Sequence, residues 1–492
     1  MSPRLAVLRP HVAFLTVLMA GSVLRLLSTL AYHPALRFPD STRYLDAARS
    51  MLPDNLRPLG YSVFLRLLSP TGTLVAVPIV QHMIGLALVV MIYTFLLRRG
   101  APGWVAVLAC APLALDAYVI QIEEYVLAES MFLALVLVAL GALLWRAQPG
   151  CREVALAGVL IATAGLTRTA GLPLVAPAAL YLIVRRVGWR RVAVFGLAFA
   201  VPVVGYLVDY HAAHGTYAVS GYSGGFLYGR VAPVADCSRL PQLTAQERAL
   251  CEHTPPASRT TGSEWYDWNL ASPAAPYRNP RGDRVLASFA RTVIQHQPLD
   301  YTRLVGGDIL HYFLPGRSVS PQDACQDFWQ YRSDVQPQLQ LCSSGAAKVG
   351  WLGPITLGFS GQPESSGINV ALVRLLRGYQ VVGYTPGPLL ALCLGIPFVY
   401  TLRRRSRDHD SGSSWDAILV AGCGLTLIAV PSATAVFDYR YGLQLVALLP
   451  IAAVLAISGK LFPAHGGRPT GEPTAPGTAP EVAVAGRSAT TV

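Results

Sequence analysis

Long apolar runs alternate with short polar stretches along most of the chain. A run of about 20 apolar residues is long enough to cross a bilayer as a helix, and ten runs are predicted to do so. They fall at about residues 11–31, 73–97, 103–120, 126–145, 154–168, 170–184, 192–209, 380–402, 416–436 and 441–459. The fifth and sixth are short and share the turn Leu166-Thr167-Arg168-Thr169. The pattern predicts an all-α polytopic membrane protein of about ten transmembrane helices.

Arginine clusters orient these predicted helices. They lie at Arg98-Arg99, Arg146 with Arg152, Arg185-Arg186 with Arg190-Arg191, and Arg403-Arg404-Arg405 with Arg407. Short loops rich in Arg stay in the cytoplasm. Ten spans with both termini inside place every cluster there, and removing one span would break the agreement. The first run is interpreted as an uncleaved span, because no small-residue cleavage site follows it.

The same topology places five polar segments outside the membrane. They are about 32–72, 121–125, the turn near 168, 210–379, and Asp438-Tyr439-Arg440. Because the outer loops are much longer than the inner ones, the protein is expected to work on its outer side.

Four regions follow from this topology. An N-terminal transmembrane module, 1–209, contains the first outer loop, 32–72, in which the chemistry is expected. A large extracytoplasmic loop of mixed structure, 210–379, separates it from C-terminal transmembrane helices at 380–460. The tail, 461–492, is rich in Pro, Gly, Thr and Ala without apolar periodicity, which predicts a disordered cytoplasmic segment.

Composition supports a membrane protein and argues against nucleic-acid binding. Hydrophobic residues make up 53% of the chain and charged residues 13%, whereas soluble proteins carry about 25% charge. The net charge of +12 comes from arginines in loops and not from one basic face. Lys348 and Lys460 are the only lysines, and Ala, Val, Gly and Pro are abundant. This usage is typical of a GC-rich bacterial genome, so the expected location is a bacterial cell membrane.

The large outer loop contains Cys237, Cys251, Cys325 and Cys342. Extracytoplasmic cysteines commonly form disulfides, and four of them allow three pairings. Near-neighbour pairing, Cys237 with Cys251 and Cys325 with Cys342, is expected; four unpaired thiols are the alternative.

Elsewhere in this loop, residues 283–313 have helical periodicity, with a second segment after Pro298. The remainder is predicted to be loop-like. The stretch Trp265-Tyr266-Asp267-Trp268 is expected to form an interfacial anchor or a small core, with stacking on a sugar as the alternative.

The first outer loop carries the candidate chemistry. Asp40 opens a predicted short helix over 41–51, and Arg57-Pro58-x-Gly60-Tyr61 links it to a second helix over 61–69. Asp40 is either a helix N-cap or a carboxylate that projects into a cleft, and the two roles are compatible. Arg57 either binds a phosphate or extends to lipid head groups.

A series of short motifs that includes these residues occurs in the same order in a known protein family. In order, they are Pro39-Asp40-Ser41-x-x-Tyr44, Arg57-Pro58-x-Gly60-Tyr61, Gln81, Ala128-Glu129-Ser130, Leu166-Thr167-Arg168-x-x-Gly171 and Asp438-x-Arg440-Tyr441. The series resembles the GT-C superfamily of membrane glycosyltransferases, in the branch of protein O-mannosyltransferases and the lipid A aminoarabinose transferase. The mannosyltransferases carry Asp-Glu where this chain has Asp40-Ser41. The resemblance implies a GT-C-like fold, a polyprenyl phosphate sugar donor, and a glycan, lipid or protein acceptor at the outer face.

The residue types suit that reaction. A sugar phosphate already has a good leaving group, so one base for the acceptor hydroxyl and cations for the departing phosphate are sufficient. A glycosidase would instead use two carboxylates. The prediction is an inverting glycosyltransferase with Asp40 as base and Arg57, Arg168 and Arg440 as donor phosphate-binding residues. Supporting roles are assigned to Arg43, Tyr44, Tyr61, Glu124, Glu129 and Asp438. No cofactor and no metal ligand are assigned, and a divalent metal is left open.

The acidic residues have structural alternatives. Glu129 is expected about one turn inside the fourth span, where a carboxylate is costly and usually functional, or paired with Arg168. Glu123 and Glu124 are expected to be exposed near the interface, where either is able to supply a second acid or a metal ligand. Asp438 is either part of the site or the ion-pair partner of Arg440.

Two other functions fit a protein of this class. One is a transporter or flippase for a lipid-linked envelope precursor, and the other is a catalytically inactive scaffold. A transporter often shows repeated halves and charges near the bilayer midplane. This chain has no visible repeat, and its charge is concentrated at the outer boundary, which favours the enzyme.

Overall fold

The structure is a computed structural model. It describes residues 11–241, 243–318, 320, 323–324, 326–333, 358–362, 364–365, 367–404 and 412–461. The predictions for Cys325, Cys342 and the tail from residue 462 lie outside the described residues.

Helices dominate the described part of the chain, as the apolar pattern predicts. The N-terminal half contains α1 (Val12–Ala31), α2 (Pro39–Ser50), α3 (Gly60–Leu68), α4 (Ala76–Arg98), α5 (Gly103–Leu115), α6 (Ala117–Glu123), α7 (Glu129–Leu144), α8 (Cys151–Thr167), α9 (Val175–Val184) and α10 (Trp189–His214). The outer segment contains α11 (Ser223–Val231), α12 (Ala245–Arg248), α13 (Ser263–Trp268), α14 (Pro280–His296) and α15 (Pro298–His311). The C-terminal part contains α16 (Val370–Val382), α17 (Gly387–Arg404), α18 (Gly412–Thr434) and α19 (Tyr439–Leu461).

Among the described residues, one two-stranded sheet joins two distant parts of the chain. Strand β1 (Tyr32–His33) pairs antiparallel with β2 (Gly367–Ile368), with Tyr32 opposite Ile368. The first outer loop is thereby joined to the segment that precedes α16.

Five described helices, α1, α4, α10, α18 and α19, are long and apolar enough to cross a membrane. The bent pairs α5–α6 and α16–α17 raise that number to seven if each is one span. Helix α7 and the stretch Thr169–Val184 are apolar but shorter. The chain therefore has the character of an all-α membrane protein with five to seven candidate spans, and the count of ten stays a prediction.

Two of the predicted spans are broken. The run 103–120 bends by 51° between α5 and α6, and the run 380–402 overlaps a bend of 47° between α16 and α17. Each predicted run therefore contains a helix boundary that hydropathy alone does not reveal.

Asp116 explains the first break and joins it to the second. Its Oδ1 atom caps α6 by accepting the backbone N–H groups of Tyr118 at 2.9 Å and Val119 at 3.3 Å. Its Oδ2 atom accepts the N–H of Thr385, between α16 and α17, at 2.7 Å. The side chain is buried. Through these three hydrogen bonds, one carboxylate satisfies backbone N–H groups at both breaks.

The predicted first outer loop contains α2 and α3, close to the two short helices predicted there, and it is held against the segment after α6. The N–H of Leu36 donates to the carbonyl of Glu124 at 3.0 Å. The Tyr61 hydroxyl donates to Gln81 Oε1 at 3.0 Å, and the Gln81 amide donates to the Tyr125 carbonyl at 2.7 Å. These bonds fix α2 and α3 relative to α4.

The outer segment has more helix than predicted. The predicted helical region 283–313 is present as α14 and α15, which divide at Pro298, but α11, α12 and α13 fall in the part expected to be loop-like. They are short, so they lack the several turns of apolar periodicity that identify a helix from sequence. Helix α10 extends to His214 and α16 begins at Val370, so both reach into the range 210–379.

A separate small core holds the outer segment together. Tyr228, Tyr266, Leu286 and Phe289 are fully buried there, which confirms the small-core interpretation for Tyr266, and Trp265 and Trp268 pack against this core while only partly buried. A disulfide joins Cys237 to Cys251, as near-neighbour pairing predicts.

Candidate functional site

A cavity of about 700 Å³ lies between the first outer loop, the outer segment and the ends of α8, α18 and α19. The side chains that line it include Asp40, Arg57, Arg168 and Arg440. These four predicted site residues come from three separate stretches of the chain. The fold therefore brings the proposed base and the three proposed phosphate-binding residues to one cavity.

Asp40 is buried and ion-paired. Its Oδ1 atom accepts a hydrogen bond from Arg57 Nη2 at 2.8 Å, and its Oδ2 atom lies 3.6 Å from Arg440 Nη1. Burial by itself raises the pKa of the Asp40 carboxyl, but the charges of Arg57 and Arg440 outweigh this and hold the pKa below its usual value. The carboxylate is therefore charged at neutral pH.

Asp40 does not cap α2, so the N-cap interpretation is wrong. The cap position is Phe38, and its N–H donates to the Ser41 hydroxyl oxygen at 2.9 Å. The Ser41 hydroxyl in turn donates to the Val126 carbonyl at 2.8 Å. Since Ser41 satisfies the helix terminus, the Asp40 side chain turns toward the arginines.

The link between α2 and α3 positions Arg57. Asp54 Oδ1 accepts the backbone N–H groups of Leu56 at 2.8 Å and Arg57 at 2.9 Å, which closes a tight turn. The guanidinium is directed at Asp40 and not at lipid head groups. The charge of Asp40 holds the pKa of Arg57 above its usual value against the effect of burial, which lowers it.

Gly60 lets this link approach the end of α8. A β-carbon at Gly60 would lie 2.6 Å from the Leu166 carbonyl oxygen, closer than any side chain allows. Arg168, two residues after Leu166, leaves α8 with an extended backbone (φ −146°). This close approach brings Arg57 and Arg168 to the same cavity.

Glu129 contacts Arg168 and Arg440 from outside the cavity lining and orients their side chains. It is the first residue of α7, so it does not lie one turn inside this helix. It forms an ion pair with Arg168, as the structural alternative predicts, and its Oε1 atom also lies 3.4 Å from Arg440 Nε. Asp438 Oδ2 lies 3.2 Å from the same Arg440 nitrogen. Both acids are supporting residues by geometry, since neither is among the described residues that line the cavity.

The charges of this group balance. Arg57, Arg168 and Arg440 contribute three positive charges, and Asp40, Glu129 and Asp438 contribute three negative ones. Within the described structure, the Nε atom of Arg57 is buried without a hydrogen-bond partner, whereas the Nε atom of Arg440 faces the carboxylates of Asp438 and Glu129. An anion that enters the cavity meets guanidinium groups that these carboxylates already hold in place.

The remaining supporting residues have different roles. Tyr44 lines the cavity and packs edge-on against Tyr61 at 4.9 Å. Tyr61 lies behind it, bonded to Gln81. Arg43 pairs with Asp54 at 3.0 Å and so stabilises the link. Neither Arg43 nor Tyr61 is among the described lining residues.

Glu123 and Glu124 are buried, so the expectation that they are exposed near the interface is wrong. Their exposed fractions are 3% and 0%. Glu123 accepts a hydrogen bond from Arg25 Nε at 2.8 Å, and His82 bridges the two glutamates at 2.8 and 2.9 Å. Arg25 compensates the buried charge. Glu124 thus belongs to a buried cluster between helices, and it is not among the described residues that line the cavity.

Sequence reasoning missed Arg37. It lines the cavity, and its side chain is only 6% exposed. The nearest carboxylate, Glu364, lies 3.7 Å away, and within the described residues its Nε and Nη2 atoms have no hydrogen-bond partner. Burial lowers the pKa of Arg37, and Glu364 only partly offsets this. An arginine at a membrane boundary usually extends to head groups, so the sequence carried no signal that this one is enclosed.

The described residues contain no group of three or more His, Cys, Asp or Glu side chains placed to hold a metal ion. What the cavity offers is an ionised carboxylate among guanidinium groups, next to aromatic side chains. No family model, curated protein or solved structure matches this chain.

Proposed function

We propose that the protein is an inverting glycosyltransferase that moves a sugar from a polyprenyl phosphate donor to an acceptor hydroxyl. It would act at the outer face of a bacterial cell membrane. The observation that carries the proposal is the Asp40 carboxylate, held by Arg57 and Arg440 in a cavity that Arg168 also lines.

The reaction follows from the chemistry of these groups. The acceptor oxygen attacks the anomeric carbon of the donor, and Asp40 takes the hydroxyl proton as general base. The bond from that carbon to the phosphate oxygen breaks, and its electron pair leaves with the phosphate. Arg57, Arg168 and Arg440 stabilise the charge that develops there. Attack from the side opposite the phosphate inverts the anomeric centre.

Binding of the donor would also activate Asp40. Arg57 donates to the carboxylate, and this pairing makes Asp40 a weak base. A phosphate has more oxygen acceptors than a carboxylate and competes for the same guanidinium groups. Once Arg57 and Arg440 turn to the phosphate, the pKa of Asp40 rises and the carboxylate accepts a proton more readily.

A transporter for a lipid-linked precursor is the second candidate, and the two bent helix pairs favour it. Broken helices commonly line transport sites. Here the breaks are joined to each other through Asp116, and Asp116 and Thr385 are not among the described residues of the 700 Å³ cavity. The enzyme therefore accounts for the cavity better.

The test is sugar transfer by the purified protein from a polyprenyl phosphate sugar. Asp40→Asn keeps the shape of the side chain and removes the base, so transfer is expected to fall by about 10²–10⁴-fold. Asp46→Asn is the matched control: it lies on the same helix with a side chain that is 57% exposed, and it should transfer normally.

Normal turnover by a folded Asp40→Asn protein would overturn the assignment of the base. Wild-type protein in vesicles that moves a labelled lipid-linked sugar across the bilayer, without transferring the sugar, would establish the transporter instead.

A further inference from the structure

One wall of the cavity lies apart from the charged group and is built by the outer segment. Helices α11, α13 and α14 contribute Phe226, Leu227, Glu264, Asp267, Trp268 and Arg291 to the lining. This wall faces the same enclosed space as Asp40, yet the proposed donor chemistry does not use it.

The wall presents an aromatic surface that begins where the arginines end. The guanidinium carbon of Arg57 lies 6.0 Å from the centre of the Phe226 ring. The Phe226 ring in turn packs against Trp268, with centroids 5.8 Å apart and planes at 72°. Tyr222 packs on Trp268 from a second side at 5.7 Å. One aromatic side chain therefore separates Trp268 from the partner of the proposed base, and the indole packs against two aromatic rings.

Asp267 adds a buried carboxyl next to this surface. Its exposed fraction is 3%, and its Oδ1 atom has no hydrogen-bond partner among the described residues. Burial, with the nearby charge of Glu264, raises the pKa of Asp267 well above its usual value, although Arg278 opposes this. A β-carbon at Gly229 would lie 2.2 Å from Asp267 Oδ1, so the glycine leaves room for this carboxyl group.

The wall places the polar side chains of Glu264, Asp267 and Arg291 beside aromatic rings. This combination matches the two sides of a sugar: the hydroxyl groups exchange hydrogen bonds with the polar side chains, and the apolar C–H face packs on a ring. A lipid chain has no groups that hydrogen-bond to these side chains. Polar side chains next to a flat ring are thus the recognition elements of a carbohydrate.

We propose that this wall is the acceptor subsite and that the acceptor is a glycan, whose terminal hydroxyl reaches Asp40 past Phe226. The proposal rests on the proposed function, because it names the acceptor of the same reaction. Phe226 and Trp268 would supply the packing surface, and Asp267 would orient the glycan by its hydroxyl groups.

Binding without turnover tests the subsite. A neutral mannose oligosaccharide and a neutral arabinose oligosaccharide are titrated by calorimetry into the purified full-length protein without donor. At least one is expected to bind. Trp268→Ala and Asp267→Ala should each weaken that binding about tenfold or more, as loss of a central contact does.

Trp265→Ala is the matched control, because Trp265 lies on the same helix but is not among the described lining residues; it should bind normally. Protease resistance of the outer segment shows whether each variant is folded, and Asp267→Asn provides a milder change if Asp267→Ala is not. Binding by wild type that the folded Trp268 and Asp267 variants retain in full would overturn the subsite.

The two proposals fail separately. If Asp40→Asn binds the oligosaccharide like wild type, the subsite is supported independently of catalysis. If the wild type transfers sugar to a peptide or lipid hydroxyl but binds neither oligosaccharide, the subsite is overturned and the glycosyltransferase stands. If it binds an oligosaccharide but transfers nothing from any donor, the subsite stands and the glycosyltransferase is overturned.

Discussion

At the scale of single residues, Asp40 and its arginines illustrate how much a motif series reveals. Asp40, Arg57, Arg168 and Arg440 were predicted as a group from short motifs, and all four line one cavity. Glu123 was misplaced because its partner Arg25 lies 98 residues away inside an apolar run. A buried charge is recognised from its partners, and those are known only once the chain is folded.

The ion pairs of Asp40 predict an unusual pH dependence of the proposed activity. In the free protein Arg57 and Arg440 hold the pKa of Asp40 below its usual value, which is about 3.9 for an aspartate. Protonation inactivates a base, so kcat/KM should show no acidic fall until below about pH 4. In the donor complex the phosphate takes up the arginines, the pKa rises, and kcat should fall at higher pH than kcat/KM does.

The measurement is a pair of pH–rate profiles for sugar transfer, with protein stability checked at each pH. Acidic limbs of kcat and kcat/KM at the same pH would show that the phosphate does not compete with Asp40 for the arginines.

At the scale of elements, the sequence indicated the helices but not their breaks. Helices α2 and α3 were predicted nearly to the residue, because Pro39 and the Arg57-Pro58-x-Gly60 link interrupt the chain clearly. The break at Asp116 lies inside an apolar run. The Asp116 carboxylate also accepts a hydrogen bond from the N–H of Thr385, which comes from a distant part of the chain. Hydropathy sums over a window and cannot register a single buried cap.

Asp116→Ala should destabilise the protein. It removes a buried acceptor of three backbone N–H groups, and a buried donor left without a partner costs about 1–3 kcal/mol. The midpoint of thermal unfolding in detergent is expected to fall accordingly. Asp209→Ala, at an exposed position near the end of α10, serves as control. Equal midpoints for Asp116→Ala and wild type would show that the hydrogen bonds of Asp116 at the two helix breaks contribute little to the stability of the folded protein.

At the scale of the whole molecule, apolar content and arginine placement predicted an all-α membrane protein, and the fold agrees in that respect. The sequence indicated a small core only at residues 265–268. Tyr228 and Tyr266 of this core lie on the short helices α11 and α13, which lack several turns of apolar periodicity, whereas Phe289 lies on α14, which the periodicity predicted. The contribution of α11 to the aromatic wall of the cavity was missed for the same reason.

The predicted orientation is testable with thiol reagents. Asp46 is exposed on α2 and is expected outside the cell, whereas the free and exposed Cys151 is expected inside. A membrane-impermeant maleimide should therefore label an Asp46→Cys protein in intact cells. It should reach Cys151 only after the cells are opened. Labelling of Cys151 alone in intact cells would reverse the topology.

The arginines around Asp40 also bear on the step that follows transfer. A polyprenyl phosphate sugar is a phosphodiester with one negative charge, whereas the released lipid phosphate is a monoester with a charge of about −1.5 to −2 at pH 7. After transfer Asp40 carries a proton and no longer competes for Arg57 and Arg440. The same guanidinium groups would therefore hold the spent carrier more tightly than the fresh donor. In an enzyme of the proposed kind, departure of the carrier lipid would limit the turnover rate, and accumulated carrier would inhibit the next round.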